Sequence, residues 1–322
     1  MIDVIIPARD AQGLIVRLLS SLVIQIACPP FKVTIVNDGE GDYSEQTSMF
    51  PMLNIREISY GKVGMGPGHA RQYGIDHTEG EIIVFCDADD FLDSTTSLER
   101  LSAPFSESNV NAVFSPMRAY TEGKEGTITN QVAIWLHGKA YRRSFIEEKG
   151  ITFFPNSEGE DAGWNKQVLM NAGERGVVML SEPTYVWTDL NKGKRLNTTR
   201  FAMFESKKGL VDNMLHVVRN CHKNNIPKEI IMSEMVGFLL DLYVHYNLFL
   251  TAPELGVGAK DLDDFISWCK PIYDLVRDSP QMRDMTCLEG IVFEKMKLIY
   301  SMGWTYRGVR YSLGEFIGRV AE

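Results

Sequence analysis

The chain lacks the cysteine spacing of a structural metal site. Its five cysteines, Cys28, Cys86, Cys221, Cys269 and Cys287, are scattered, odd in number and free of any CxxC or Cys/His pattern. A zinc-built fold is therefore not expected, and a reducing compartment is the simpler setting. Nor is positive charge in excess. Acidic residues outnumber basic ones, 42 to 33, for a net charge of −9, which disfavours non-specific binding to nucleic-acid phosphates without excluding a local basic groove. Long hydrophobic runs are missing as well. The most apolar late stretch, Val236–Leu250, contains Asp241 and His245; it is short for a membrane span and suits a buried helix. The N-terminus runs straight into the strand-like Ile2–Pro7 with no basic leader and no cleavage site, so a cytoplasmic protein without a transmembrane segment is expected. Internal repeats and low-complexity tracts are absent too. A length of 322 residues with ordinary apolar and charged content suits two domains, or one with a large appendage.

What is present in the first 120 residues is an alternation of β-branched runs and helical spacing, the signature of an α/β sheet. Strands are predicted at Val4–Pro7, Lys32–Asn37, Asn54–Ile58, Ile82–Cys86 and Ala112–Arg118. Leu14–Ile26 repeats apolar residues at helical spacing, Gly68–His77 reads as a helix opened by a glycine-rich turn, and Thr96–Glu99 reads as a capping box starting another. Gly123–Gly126 predicts a hairpin or loop, Arg143–Lys149 and Asp161–Ala172 helices, and Val177–Leu180 a strand. Beyond Arg200 the chain turns helical, with apolar stripes over Phe204–Lys223, Lys228–Leu250, Leu262–Arg277 and Leu288–Met302. A domain boundary is expected near Arg200–Ser206, giving a first domain of residues 1–203 and a helical region of residues 204–322.

The strongest chemical feature is the run Ile82 to Asp90, in which an apolar strand delivers Asp87, Asp89 and Asp90 at its C-terminal end. Open α/β sheets bind ligands at that edge. Acids at i and i+2 on a turning backbone can converge on one hard divalent cation, which fills its other positions with water and phosphate. The plainer alternative is an acidic loop in which Asp90 or Asp93 caps the next helix. Other users of Asp-x-Asp fit less well. A haloacid-dehalogenase-like phosphatase would carry the motif on its first strand, with Thr or Val where Phe91 stands. A nucleotidyltransferase would need a glycine-rich basic loop after strand one, where Pro7–Gly13 has a single glycine. A Rossmann dehydrogenase fails on the position and spacing of Gly64, Gly66 and Gly68.

Six segments in order then raise the case. They are Val4-Ile5-Ile6-Pro7-Ala8-Arg9, Ile35-Val36-Asn37-Asp38-Gly39, Gly66-Pro67-Gly68-His69-Ala70-Arg71-Gln72, Gly80–Asp90, His137–Arg143 and Glu158-Gly159-Glu160-Asp161. Over about the first 200 residues the chain resembles the family 2 glycosyltransferases and related GT-A enzymes. The resemblance implies a GT-A type, Rossmann-like nucleotide-diphospho-sugar transferase sheet, residues 1–118 forming the nucleotide-sugar half and 119–203 the acceptor half. It implies transfer from a nucleotide-sugar donor, with a UDP-sugar as first choice, to the hydroxyl of a glycan or other acceptor. Inversion needs one base and a stabilised diphosphate leaving group, so one carboxylate and one Mn²⁺ or Mg²⁺ ion suffice, unlike the carboxylate pair of a glycosidase.

The same resemblance implies roles for particular residues. Asp161 would be the general base with Glu160 beside it, at a helix N-terminus that favours the ionised carboxylate. The alternative is that Glu158, Glu160 and Asp161 are only N-terminal helix acids. Asp38 would meet the base or ribose near Pro7, Ala8 and Arg9. Asp87, with Ala88 next to it, would face ribose or sugar, and Asp89, with Asp87, would hold the metal. Arg71 contacts the nucleotide or pairs with Asp87 or Asp38; the sequence leaves both open. A downstream metal-ligating His is missing at Tyr185–Asp189, where Asp189 or water would serve instead. His137 reads more readily as structural than as a ligand. Trp135, Trp164 and Trp187 offer sugar-stacking faces or core packing. Lys192, Lys194, Arg195 and Arg200 form a basic segment, either a closing loop or a solvated linker. The helical tail would extend the acceptor site, mediate homo-oligomerisation or cover the sheet. A nucleic-acid base or protein side chain as acceptor, a phosphatase, and a non-catalytic sugar-nucleotide-binding protein are the competing readings.

Overall fold

The segment Ile2–Ala8 is apolar with almost no polar interruption, and such runs form strands buried on both faces. It is β1, the middle of a sheet with neighbours on each side. The computed structural model describes residues 1–121, 124–129, 135–155, 158–188, 200–251, 257–301 and 311–322, divided into two compact units, Met1–Lys192 and Gly193–Glu322. The strands of the first unit are β1, β2 (Phe31–Asn37), β3 (Ile55–Ile58), β4 (Ile82–Phe85), β5 (Phe91–Leu92), β6 (Ala112–Phe114), β7 (Met117–Thr121), β8 (Lys124–Thr129), β9 (Lys139–Arg142), β10 (Val177–Met179) and β11 (Tyr185–Thr188). Its helices are α1 (Ile15–Val23), α2 (Ser44–Ser48), α3 (Pro67–Asp76), α4 (Ser97–Ser102), α5 (Arg143–Glu148) and α6 (Glu160–Ala172).

Seven strands form the main sheet in the order β10-β6-β9-β4-β1-β2-β3. All its pairings are parallel except those of β9, which runs antiparallel to both β4 and β6. A second sheet orders β5-β11-β7-β8. Side chains alternate across β1. Ile2, Val4 and Ile6 enter one core with Ile15, Leu18, Leu19 and Leu22 of α1, while Ile5 enters the other with Ile75, Phe85, Trp164 and Val168. The helix α3 lies close on β1 because position 74 is glycine: a Cβ there would fall 2.4 Å from Ile5 Cγ2 and 3.2 Å from Val36 Cγ2. Trp164 is wholly buried, stacked on Phe153 at 4.3 Å and edge-on to Phe85 and Tyr141. Core packing is therefore its role.

Two local expectations need correction. The predicted strand Ala112–Arg118 is broken at Ser115-Pro116, and its halves join different sheets as β6 and β7. Pro116 has no N–H for a ladder, and the Ser115 hydroxyl turns to the Pro116 and Gly138 carbonyls instead. The capping box at Thr96 does not form. Thr96 sits at the N-cap of α4, but its side chain accepts no helix N–H; the amide of Ser94 binds the Ser97 hydroxyl instead.

The second unit is helical: α7 (Arg200–Lys223), α8 (Lys228–Thr251), α9 (Ala259–Val276), α10 (Met285–Ser301) and α11 (Leu313–Ala321). Buried residues occur around α8, including Leu239, Leu240, Leu242, Val244 and Tyr246, as expected of a helix covered on several sides by α7, α9 and α10. The last helix was not foreseen, although Ser312 and Glu315 form a reciprocal capping box that the sequence displays. No described helix is long and apolar enough to cross a membrane. All five cysteines are free thiols.

Candidate active site

The register of the parallel strands brings the ends of β1, β2 and β4 to one edge. Ala8 lies opposite Asn37, Ile5 lies opposite Phe85, and the Asp38 and Cys86 amides continue the ladder to the Ala8 and Ile5 carbonyls. Beyond β4 the chain turns sharply, the Asp90 amide bonding back to the Asp87 carbonyl at 3.1 Å. This turn brings Asp87 and Asp90 onto a common side. Imidazole Nε2 of His137 lies 3.1 Å from Asp87 Oδ2 and 3.6 Å from Asp90 Oδ2. The ligand atoms of the three residues lie within 4.8 Å of one another. Asp89 is half-buried at the same turn, and its carbonyl accepts the Thr188 hydroxyl at 2.7 Å.

Tyr185 and Thr188 of β11 brace this turn from the second sheet. The Tyr185 hydroxyl accepts the Asp87 amide at 2.9 Å and donates to Asp90 Oδ2 at 3.0 Å, and the Thr188 amide donates to Asp90 Oδ1 at 2.7 Å. The Tyr185 ring stacks on His137 at 5.0 Å. Sequence reasoning missed Tyr185 altogether and placed no ligand role on Asp90 or His137.

Arg71, on the buried face of α3 and 2% exposed, pairs with Asp87, one of the alternatives the sequence left open. Its guanidinium donates to Asp87 Oδ1 at 2.7 Å, Asp161 Oδ1 at 2.7 Å and Glu160 Oε1 at 3.2 Å. Asp38 is not among these partners. The strand-end acid and the two helix-start acids therefore meet on one cation. Gly159, in the left-handed region at φ 72°, turns the chain into α6 and sets Glu160 and Asp161 in its first turn. The loop before β9 closes the site: the Leu136 amide lies 3.4 Å from Asp161 Oδ2, and the Lys139 ammonium donates to the Trp135 and His137 carbonyls.

The charges in this cluster are strongly perturbed. Burial pushes the Glu160 carboxyl up to about 8, with the neighbouring Asp161 charge adding to it. Burial likewise lifts Asp90 to about 7 against the opposing pull of His137. Burial also acts on Asp87, but Arg71 and the His137 hydrogen bond outweigh it and hold the carboxyl well below its ordinary value. His137 is raised, its burial offset by Asp87. Lys139 has no carboxylate in hydrogen-bond range among the described residues, and burial lowers it to about 7. The cluster thus combines one firmly ionised acid, two acids inclined to hold protons, and a buried guanidinium.

Asp38 lies elsewhere on the same edge. It is 3% exposed, and both carboxylate oxygens are engaged, by the Tyr60 hydroxyl and the Met65 and Gly66 amides. These contacts hold the carboxylate against the loop that follows β3. Pro7 and Ala8 end β1, and Arg9 follows with its side chain half-exposed. Ala88 is buried between Asp87 and Asp89. Trp135 and Trp187 are partly buried against one core. Asp189, Lys192, Lys194 and Arg195 lie outside the described residues.

The donor chemistry of Asp87, Asp90 and His137, with Asp89 on the same turn, fits a divalent cation that accepts oxygen and imidazole ligands. His137 Nδ1 is buried without a hydrogen-bond partner among the described residues.

Residues 3–158 match the family model described as glycosyl transferase family 2. The poly(ribitol-phosphate) beta-N-acetylglucosaminyltransferase TarS of Staphylococcus aureus strain MW2 is 24% identical over 305 residues, covering 88% of this chain and 50% of that protein. This chain thus spans about half the length of that curated relative. Among solved structures, S. aureus TarS 1-349 in complex with UDP-GlcNAc superposes with a TM-score of 0.61 at 18% identity, covering 98% of this chain and 97% of that one. A mannosyltransferase from Pyrobaculum calidifontis in complex with GDP-Man and Mn²⁺ gives 0.51 at 15% identity, covering 99% and 85%. These structures are similar to the present chain in fold.

Proposed function

From the premise that the chain belongs to the family 2 glycosyltransferases and carries their GT-A fold, we propose that it transfers a sugar from a UDP-sugar to an acceptor hydroxyl with inversion. The observation that carries this reading is Arg71, which joins Asp87 at the nucleotide edge of the sheet to Glu160 and Asp161 at the start of α6. Donor-side and acceptor-side acids thereby share one fixed frame.

In this scheme Asp161 takes the acceptor proton as the new bond forms. Arg71 orients that carboxylate, and the Leu136 amide lies against its second oxygen. Glu160, lifted to about 8, holds its proton at neutral pH and so adds no second negative charge beside the base. Asp87 stays ionised between Arg71 and His137. Asp89 and Asp87 would hold Mn²⁺ or Mg²⁺, with Asp90 and His137 in reach. When bound, the ion offsets the negative charge of the departing diphosphate.

TarS is named for N-acetylglucosamine transfer to poly(ribitol phosphate), which makes UDP-GlcNAc and a polyol-phosphate chain the first donor and acceptor to try. The direct test is thermal unfolding with nucleoside diphosphates and UDP-sugars, with and without Mn²⁺. A ligand at a hundred times its dissociation constant stabilises the fold by about 2.7 kcal/mol. Failure of every nucleoside diphosphate to raise the midpoint, with or without metal, would remove the reading.

A further inference from the structure

Imidazole Nε2 of His137 faces Asp87 and Asp90, so it is the nitrogen placed to meet a cation. An imidazole in such a position is ordinarily oriented by a hydrogen bond at its other nitrogen. Here that bond is missing: Nδ1 of His137 is buried with no partner among the described residues. Tyr185 fixes the ring instead. The two rings are stacked, with 5.0 Å between centroids and 19° between planes, a separation that aromatic pairs favour. Tyr185 is itself 1% exposed, and its backbone is paired on both sides, with Leu92 of β5 and Met117 of β7.

The hydroxyl of the same residue holds the turn after β4. It accepts the Asp87 N–H, which leaves its own proton for Asp90 Oδ2, and the two contacts span the reversal of the chain from Asp87 to Asp90. Three residues along β11, Thr188 adds its N–H to Asp90 Oδ1 and its hydroxyl to the Asp89 carbonyl. One short strand of the second sheet thus sets both halves of the candidate cation site: the main chain that carries the acids, and the plane of the imidazole.

We propose that Tyr185 is a positioning residue for the divalent cation, its hydroxyl acting on the Asp87–Asp90 turn and its ring acting on His137 in place of the missing Nδ1 hydrogen bond. The role rests on the cation proposed above. Two substitutions separate the halves of this one side chain. Tyr185→Phe removes the hydroxyl and keeps the ring, so the turn loses its brace while His137 keeps its support. Tyr185→Leu removes both. A tyrosine that only filled the core would have no reason to act through His137.

The test is titration of Mn²⁺ into the full chain in excess UDP, with the free ion followed by electron spin resonance against a UDP-only blank. Tyr185→Phe is expected to weaken Mn²⁺ binding roughly tenfold, the lower end of the range for losing an outer support of a metal site. Tyr185→Leu should weaken it about fivefold further, the scale of one aromatic pair. In a His137→Gln background, Phe and Leu at position 185 should agree within about twofold, since no imidazole is left to support. Thr188→Val leaves the Tyr185 ring untouched and removes only the hydroxyl on the Asp89 carbonyl; it should weaken the ion about threefold. Unchanged Mn²⁺ affinity in Tyr185→Phe, or a loss from Phe to Leu that persists without His137, would each overturn the assignment while leaving the cation in place. A wild-type chain that takes up no Mn²⁺ beyond the blank would overturn the cation reading itself, and the Tyr185 role with it.

Discussion

Arg71 and Asp161 lie 90 residues apart in the chain and 2.7 Å apart in space. The contact ties α3, which packs on β1, to the first turn of α6, and Asp87 joins the same guanidinium from the end of β4. Removing this cation would leave three carboxyl groups facing one another with little water to separate them. Arg71→Met is therefore expected to destabilise the first unit by about 3–5 kcal/mol, the range for breaking a buried ion pair from one side. Arg71→Lys should recover only part of that, since an ammonium cannot span three carboxyls as a planar fork does. Urea unfolding followed by tryptophan fluorescence measures both; a Met variant within 1 kcal/mol of wild type would contradict the bridging role.

Asp161→Asn keeps the size and much of the hydrogen bonding of the side chain but removes its basicity. Turnover should drop by roughly 10²–10⁴-fold, while UDP affinity stays within about threefold of wild type. Single-turnover transfer and UDP titration on the same preparations check this. Full activity in Asp161→Asn together with loss in Glu160→Gln would move the base by one residue.

Asp89→Ala should abolish transfer and remove the part of UDP binding that depends on added Mn²⁺, because it deletes a proposed ligand. His137→Gln should weaken the metal dependence without erasing UDP binding, since His137 shares its site with Asp87 and Asp90. Titration of EDTA-treated protein with Mn²⁺, followed by electron spin resonance of the free ion, reads the number of ions held. Equal metal uptake by wild type and Asp89→Ala would sink the ligand assignment.

The raised Glu160 carboxyl gives a pH signature. Its folded value, about 8, lies above the ordinary 4.5, so across that interval the native state holds more protons than the unfolded chain. Stability must then fall as pH rises from about 4.5 to 8, as far as Glu160 contributes. In metal-free protein, Glu160→Gln should flatten this slope, since the amide stays neutral throughout. Thermal midpoints taken at half-unit steps in pH would decide it; an equal slope in both proteins would mean that Glu160 ionises normally.

Much of this arrangement was legible in the sequence, and what was not has identifiable causes. The strand preceding Asp87 and the helix following Gly159 were visible because β-branched runs and helical spacing are local signals. The partners of Arg71 were left open because a guanidinium within a helical pattern says nothing about which distant carboxylates it will meet. Asp90 was given no ligand role for a different reason. Alternation along an extended chain pairs i with i+2, whereas the Asp90-to-Asp87 backbone bond closes a turn that pairs i with i+3. Tyr185 and His137 were beyond reach, because their placement depends on how β11 and the loop before β9 meet the turn after β4. The break at Ser115-Pro116 was visible in principle, since a proline inside a strand pattern demotes it.

The bare hydrogen at Gly74 has a consequence well away from any reacting atom. Arg71 stands one helical turn earlier, and its reach to Asp87 and Asp161 depends on how far α3 sinks onto β1. A single methyl group at position 74 would meet Ile5 at 2.4 Å and lever the helix outward. Alignment of the proposed site is thus vulnerable from behind. A search for inactive variants should recover substitutions on the hidden underside of α3 that touch neither donor nor acceptor, and a compensating reduction at Ile5 is where second-site revertants of Gly74→Ala should arise.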